Sequence, residues 1–222
     1  MKTFDLFPTL VGTETYTSHK QFKQIFFDNL PKYIREDGLT GEQSGHIDLH
    51  LNPDFEDLFK FISSVAEDYI DTLVGTKDTW QPWLVKTWFS DFSVPAHNHE
   101  DAHLSFVYYV NVPKEAKHPL HFMPPVNRCN DLTNGMFLAH KDAAAVVFNN
   151  QYNCNSVVFT PEEGVLVFFP AKLRHAVESV TKTLPTKMED RRISLAGDFV
   201  LTLREPTARS MGLQPISNWR NF

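Results

Sequence analysis

Three histidines in two separated segments are the residues whose types and spacing can do chemistry. In Pro95-Ala96-His97-Asn98-His99-Glu100-Asp101, His97 and His99 stand two apart. An extended chain projects both to one face with Cα atoms roughly 6.6 Å apart, and two imidazoles at that separation can converge on a single ion. With 10 histidines in 222 residues, an HxH pair arises by chance in roughly every second chain of this composition. The pair therefore needs a second feature, and Gly164 to His175 supplies one: an apolar strand, a turn at Pro170, and a histidine that opens the next strand. A turn there sends His175 back toward the first pair. Three imidazoles from two strands make an open metal site, with coordination positions left for a chelating co-substrate and oxygen. Separate surface or hydrogen-bonded histidines are the plain alternative.

A dicarboxylate at such a site needs an anchor. Arg192 and Ser194 stand two apart at the start of a strand, so they share a face; the guanidinium can grip a carboxylate through two bonds and the hydroxyl can add a third. The plain alternative is that Arg191 and Arg192 are solvated charges at the beginning of a strand. Tyr108 and Tyr109 face opposite sides of their strand, so only one can present its hydroxyl to a cavity. No spacing singles out His103, His118, His121 or His140. The 2 cysteines, Cys129 and Cys154, belong to no CxxC pair and make no disulfide framework, which fits a reducing, cytoplasmic setting.

The elements that must position these residues divide into helices first and strands after. Phe22, Ile25, Phe26 and Leu30 form one helical repeat. Phe55, Leu58, Phe59, Ile62, Val65, Ala66, Tyr69, Ile70 and Leu73 form a longer one at three-and-four spacing. Asn52 caps it, Pro53 suits its first turn, Asp54, Glu56 and Asp57 suit its positive end, and Gly75 closes it. From Trp83 onward short β-rich runs follow: Trp83 to Phe92, Leu104 to Val112, Val157 to Thr160, Val165 to Phe169 and Ile193 to Leu203. Their Pro, Asn and Gly punctuation indicates an antiparallel sandwich or barrel. Pro113 to Gln151, dense in Pro, His and Asn, reads as a wall or lid of the site.

A chain of 222 residues, 42% hydrophobic, suits one buried core. The expected organisation is a single domain over 1–222, with a helical region at 1–80, a β core at 81–204 and a tail at 205–222. A net charge of -6 without a Lys/Arg run disfavours nucleic acid. No stretch reaches the roughly 18 apolar residues of a membrane span, and the N-terminus has no leader-like run.

On these residues the chain resembles the 2-oxoglutarate and Fe(II)-dependent oxygenase superfamily, in particular a bacterial and phage branch related in fold to prolyl hydroxylases. The resemblance runs through Leu6-Phe7-Pro8-Thr9, the Pro53 helix, Trp88-Phe89, His97-x-His99, Leu104-Ser105-x-Val107-Tyr108-Tyr109-Val110, Gly164 to His175 and Arg192-Ile193-Ser194. It implies a mainly β fold, a double-stranded β-helix (jelly roll) with N-terminal helices packed on the outer face of one sheet. It implies Fe(II) held by His97 and His175, and 2-oxoglutarate held by Arg192 and Ser194 with help from Tyr109. It also implies oxygen activation, decarboxylation of 2-oxoglutarate to succinate, and oxidation, commonly hydroxylation, of a substrate.

Two departures matter. The family's third ligand is an Asp or Glu two residues after the first histidine, and here that position is His99. Either His97, His99 and His175 form a three-histidine site, the set we favour, or the ligands shift to His99, Asp101 and His175. Phe106 stands where the branch usually has Gly, which would narrow the cavity beside the metal. Trp80, Trp83 and Trp88 are candidate walls of a substrate groove. The substrate class stays open between a peptide side chain, a nucleotide and a small metabolite. Two other readings are a cupin-type metalloenzyme, suggested by Gly164, Pro170 and His175, and a metal-free jelly-roll binding or structural module.

Overall fold

The two apolar repeats are helices in the computed structural model, which describes residues 8–33, 48–75, 77–124, 156–180, 183–206 and 212–221. They are α1 (His19–Asn29) and α2 (Glu56–Val74). A 3-10 turn over Pro53–Phe55 leads into α2, with the Asn52 side chain accepting from the Asp54 N–H at 2.9 Å. Gly75, at φ +65°, closes it with its N–H bonded to Asp71 O at 2.7 Å, the left-handed geometry that a side chain would strain. Phe22 and Phe26 of α1 and Leu58, Ile62, Ala66 and Ile70 of α2 are buried together. Among the described residues no helix is long and apolar enough to cross a membrane.

Nine strands follow one another among the described residues: β1 (Gly12–Thr15), β2 (Trp80–Ser90), β3 (Val94–His97), β4 (Leu104–Asn111), β5 (Leu120–Phe122), β6 (Val157–Phe159), β7 (Val165–Pro170), β8 (His175–Val177) and β9 (Ile193–Leu203). They pair antiparallel into a five-stranded sheet, β1-β7-β4-β9-β2, and a four-stranded sheet, β3-β8-β5-β6. All five β-rich runs of the sequence are strands, within a few residues at their ends. Four more, β1, β3, β5 and β8, have three or four residues each, too short for alternation to register. Because β1 pairs with β7, the stretch before residue 80 contributes a strand as well as helices.

Period-two alternation sorts the large sheet into two faces. Leu104, Phe106, Tyr108 and Val110 of β4, with Leu166, Phe168, Leu195 and Phe199, pack under the helices. Val107 and Tyr109, with Val167 and Phe169, face the small sheet and its Val94, Leu120, Phe122 and Val177. Both faces are covered, so all eight residues of β4 are buried. Parity places the Phe106 ring in the helix-side cluster, 5.8 Å from Phe168 and 5.9 Å from Phe199, while the residue also contributes to the lining of the cavity beside the histidines. It lies across Gly197, where an added Cβ would come within 2.6 Å of Phe106 Cε1 and 2.8 Å of Lys86 O. Gly197 supplies the space that Phe106 fills.

A bulge in β2 decides what its second half presents. The register with β9 shifts between Leu84 and Lys86, leaving Val85 as the extra, exposed residue. Beyond it Lys86, Trp88 and Ser90 stand opposite Asp198, Ala196 and Ser194. Of the three candidate groove tryptophans, Trp80 packs against the helix-side core and Trp83 is exposed, its Nε1 donating to Thr202 Oγ1 at 2.9 Å. Only Trp88 reaches the site. The proposed wall from Pro113 to Gln151 is described as far as residue 124; the rest, with Cys129 and His140, and Cys154 beyond it, lies outside the described residues.

Candidate metal centre

Three rows of side chains cross the inner face of the large sheet, fixed by the strand registers: Ser105, Asp198 and Lys86; Val107, Ala196 and Trp88; Tyr109, Ser194 and Ser90. The histidines approach from the small sheet. His97 ends β3 directly opposite His175, which opens β8, and His99 follows in the connection, its N–H bonded to Ala171 O at 2.9 Å. β7 ends at Pro170 in the large sheet, and a turn closed by the Leu173 N–H to Pro170 O bond at 2.8 Å carries the chain to β8 in the small one. His97, His99 and His175, with Trp88, Arg192 and Ser194, line one cavity.

One ligand atom from each histidine lies within 4.8 Å of the others. Each ring is oriented by its Nδ1: His97 donates to Pro95 O at 2.7 Å, His175 to Leu173 O at 2.8 Å, and His99 to both carboxylate oxygens of Asp198 at 2.7 and 2.8 Å. Carbonyl and carboxylate oxygens only accept, so the proton sits on Nδ1 and each Nε2 carries a free lone pair. His97 Nε2 and His99 Nε2 face one another at 3.1 Å, and two lone pairs at that distance repel unless a cation lies between them. Burial pushes the proton affinity of His175 down to about 4, with the neighbouring His97 and His99 adding to the effect, which keeps its lone pair available at neutral pH.

Asp198 is fully buried. Burial alone would raise its pKa, but hydrogen bonds from His99 and Ser105 and the Lys86 ammonium outweigh it and hold the carboxyl below its usual range. Ser105 Oγ donates to it at 2.6 Å and Lys86 Nζ at 3.1 Å. Asp101, the alternative ligand, is not brought into the cluster. Its carboxylate is 71% exposed and pairs with the other side of Lys86 at 2.9 Å, because the chain has already turned outward after His99. His103 accepts from the Leu201 N–H at 3.2 Å, and His121 lies 3.2 Å from Glu178; neither joins the site.

Arg192 is 1% exposed, and its Nε and Nη1 have no hydrogen-bond partner among the described residues. The Tyr109 ring lies 5.4 Å from the guanidinium carbon, with its buried Oη likewise unpartnered. Burial, opposed by Arg192, keeps the Tyr109 phenol protonated, so it remains a donor. Ser194 Oγ donates to Ser90 O at 3.4 Å, a long bond that a better acceptor can replace. Tyr108 points the other way and bonds His19 Nδ1 at 2.7 Å under the helices; the two tyrosines face opposite sides, as alternation requires.

A family model described as "Putative 2OG-Fe(II) oxygenase" matches residues 81–198, which include all three histidines and Arg192. The chain belongs to this family. It is a 2-oxoglutarate- and Fe(II)-dependent oxygenase, an oxidoreductase. No curated protein matches it. Among solved structures it is similar to the non-heme alpha ketoglutarate dependent carbocyclase SnoK from nogalamycin biosynthesis, at 14% identity over 93% of this chain and 88% of that one, with a TM-score of 0.54. AviO1 from Streptomyces viridochromogenes Tue57 matches at 10% identity over 92% and 93%, with a TM-score of 0.53. A Pseudomonas putida prolyl-4-hydroxylase matches at 12% identity over 86% and 92%, with a TM-score of 0.50. At these identities the likeness is one of fold.

The residues of this oxygenase fit both groups that its family uses. Three Nε2 donors, each fixed by a bond at the far nitrogen, suit a divalent iron. A buried guanidinium whose Nε and Nη1 have no hydrogen-bond partner among the described residues suits a carboxylate, since buried donors left unpaired are costly.

Asp198, Lys86 and Ser105 are the residues around the cluster that sequence reasoning missed. The signal for Asp198 was present: Arg192, Ser194, Ala196 and Asp198 share one face of β9 by parity alone. Its carboxylate fixes the His99 tautomer, and partners of that kind typically contribute about 10–100-fold to metal affinity. Asp198→Asn is therefore expected to weaken Fe(II) binding by about 10–100-fold, measured by anaerobic competition with a chelating dye. Unchanged affinity would show that the His99 orientation does not depend on the carboxylate.

Proposed function

We propose that this oxygenase is a hydroxylase whose residues 81–204 form a double-stranded β-helix, with iron held by His97, His99 and His175. Arg192 grips the distal carboxylate of 2-oxoglutarate, assisted by Ser194 and Tyr109. The observation that carries the reading is the presence, in one cavity, of three oriented imidazole lone pairs and a buried guanidinium whose Nε and Nη1 have no hydrogen-bond partner among the described residues. When bound, the iron and 2-oxoglutarate supply oxygen activation coupled to decarboxylation of 2-oxoglutarate to succinate.

The chain's own contribution is placement. Pro95 O, Leu173 O and Asp198 hold the three imidazoles as Nδ1–H tautomers, so no ring must rotate to bind metal. Arg192 fixes one end of the co-substrate through two parallel N–H bonds. Val94, Leu120, Phe169 and Val177 line the same cavity, and their apolar surface keeps water from the charges and strengthens every electrostatic contact inside. Trp88, whose ring centre is 5.6 Å from that of His99, is a wall for the substrate, a peptide side chain, nucleotide or small metabolite. A reducing, cytoplasmic setting suits an Fe(II) site.

Anaerobic addition of Fe(II) and then 2-oxoglutarate to the purified protein is expected to produce a visible metal-to-ligand charge-transfer band. Admission of air should then release succinate, a signal that ranks candidate substrates. A protein that binds Fe(II) yet gives no band on adding 2-oxoglutarate overturns the reading.

A further inference from the structure

The strand registers set a cation in the row behind the histidines. Lys86 stands opposite Asp198, which stands opposite Ser105 on its other side, and the bulge at Val85 turns Lys86 to that face. Its ammonium is held at three points: Asp198 Oδ2 at 3.1 Å, the Asp101 oxygens at 2.9 and 3.1 Å, and the Trp88 ring, whose centre is 5.9 Å away. Partial burial disfavours the ammonium, and the bonds to Asp101 and Asp198 outweigh it, so Lys86 stays charged. Its side chain is 31% exposed and that of Asp198 is wholly buried, so Lys86 spans from the surface to the layer behind His99.

Asp198 does not need Lys86 to hold its place. The His99 ring bonds both of its oxygens at 2.7 and 2.8 Å, and Ser105 Oγ bonds one of them at 2.6 Å. Lys86 makes the longest of these contacts, and what it adds is charge. Three imidazoles give a bound ion no negative charge. The Asp198 carboxylate, one hydrogen bond behind His99, supplies some from outside the coordination sphere by making that ligand more basic. An ammonium on the same carboxylate takes part of this donation back. Asp101, 71% exposed, in turn takes part of the ammonium. Asp101, Lys86, Asp198 and His99 thus form a chain of alternating charge that runs from solvent to a metal-facing nitrogen.

We infer that Lys86 sets the oxidation-state preference of the bound iron: its charge, placed on Asp198, weakens the donation through His99, disfavours Fe(III) more than Fe(II), and keeps the resting ion ferrous. The sign follows from Coulomb's law, since the ion of higher charge responds more strongly to any charge nearby. The inference rests on the proposed binding of iron by His97, His99 and His175. Lys86 touches neither the ion nor a reactant and acts only through the carboxylate. Asp101 then has a part in the site without being a ligand: it moderates Lys86.

Lys86→Met keeps a linear side chain and removes the charge. The variant is expected to bind Fe(II) more tightly than wild type and Fe(III) more tightly still. The ratio of the two affinities should rise by about tenfold, the low end of the range for groups behind a metal ligand, which for one electron lowers the midpoint potential by about 59 mV. A mediated redox titration of the iron-loaded protein, followed by its ferric EPR signal, reads the potential, and anaerobic dye competition reads the Fe(II) affinity. Lys86→Arg, which keeps the charge, should restore the wild-type potential. Asp101→Asn, which leaves Lys86 to Asp198 alone, should raise it, and this exposed substitution carries the test if Lys86→Met does not fold. A Lys86 that only held Asp198 in place would give the opposite sign, weaker Fe(II) binding in Lys86→Met. That result, or an unchanged potential, overturns the inference and leaves the histidine site standing. A wild-type protein that takes up no iron overturns the three-histidine reading and the inference with it.

Discussion

His175→Ala protein is expected to purify without iron and to give no charge-transfer band with Fe(II) and 2-oxoglutarate. His175 is one of the three nitrogen donors that the described residues bring into the cluster, and the facing His97 sits opposite it on the paired strand. Loss of a partner that merely orients a ligand costs about 10–100-fold in metal affinity. Loss of the ligand itself should exceed about 100-fold on the same scale. The ring packs beside Phe169 and Phe122, so truncation also leaves a small void, and circular dichroism and thermal melting must accompany the metal assay. A band that persists in a folded His175→Ala protein would remove His175 from the ligand set.

Arg192→Met is the second large effect, and it has two opposite signs. Removing one member of a buried, hydrogen-bonded charge pair typically costs about 2–5 kcal/mol of binding, so the variant should lose most measurable affinity for 2-oxoglutarate. The ligand-free protein should respond differently. A guanidinium that is 1% exposed with unpartnered N–H groups is a burden on the free fold, and a linear apolar side chain relieves it. Each 1 kcal/mol gained would raise Tm by about 2–4 °C for a chain of this size. Calorimetry should therefore find the ligand-free variant at least as stable as wild type, with no further rise when 2-oxoglutarate is added. A ligand-free variant that melts well below wild type would mean that Arg192 holds the fold together rather than serving the site.

How much of this was legible in the sequence depended on whether a contact is local. The repeat from Phe55 to Ile70 reads directly as α2, and Ile193 to Leu203 reads directly as β9, because each pattern is long enough to show its period. The grouping of His97, His99 and His175, which the structure brings together, was read from spacing and one turn, and that of Arg192 with Ser194 from parity. Asp198 was missed although the same parity reaches it, since nothing local says that His99 from another strand arrives there. Lys86 was less visible still. The face it takes is set by the bulge at Val85, and neither Val85 nor its neighbours Leu84 and Lys86 is a glycine or proline that would mark the slip. For Phe106 the family comparison pointed to the cavity, whose lining includes the residue, and alternation with Tyr108 adds that the ring itself packs under the helices.

The position of the histidines has a mechanical side as well. His97 and His175 belong to the small sheet, while His99 is clamped by Asp198 to the large one. An ion gripped by all three would rivet the two sheets together across the mouth of the sandwich. Loading the metal would then close the shell as well as arm it, and the two layers would part most easily where the rivet is missing.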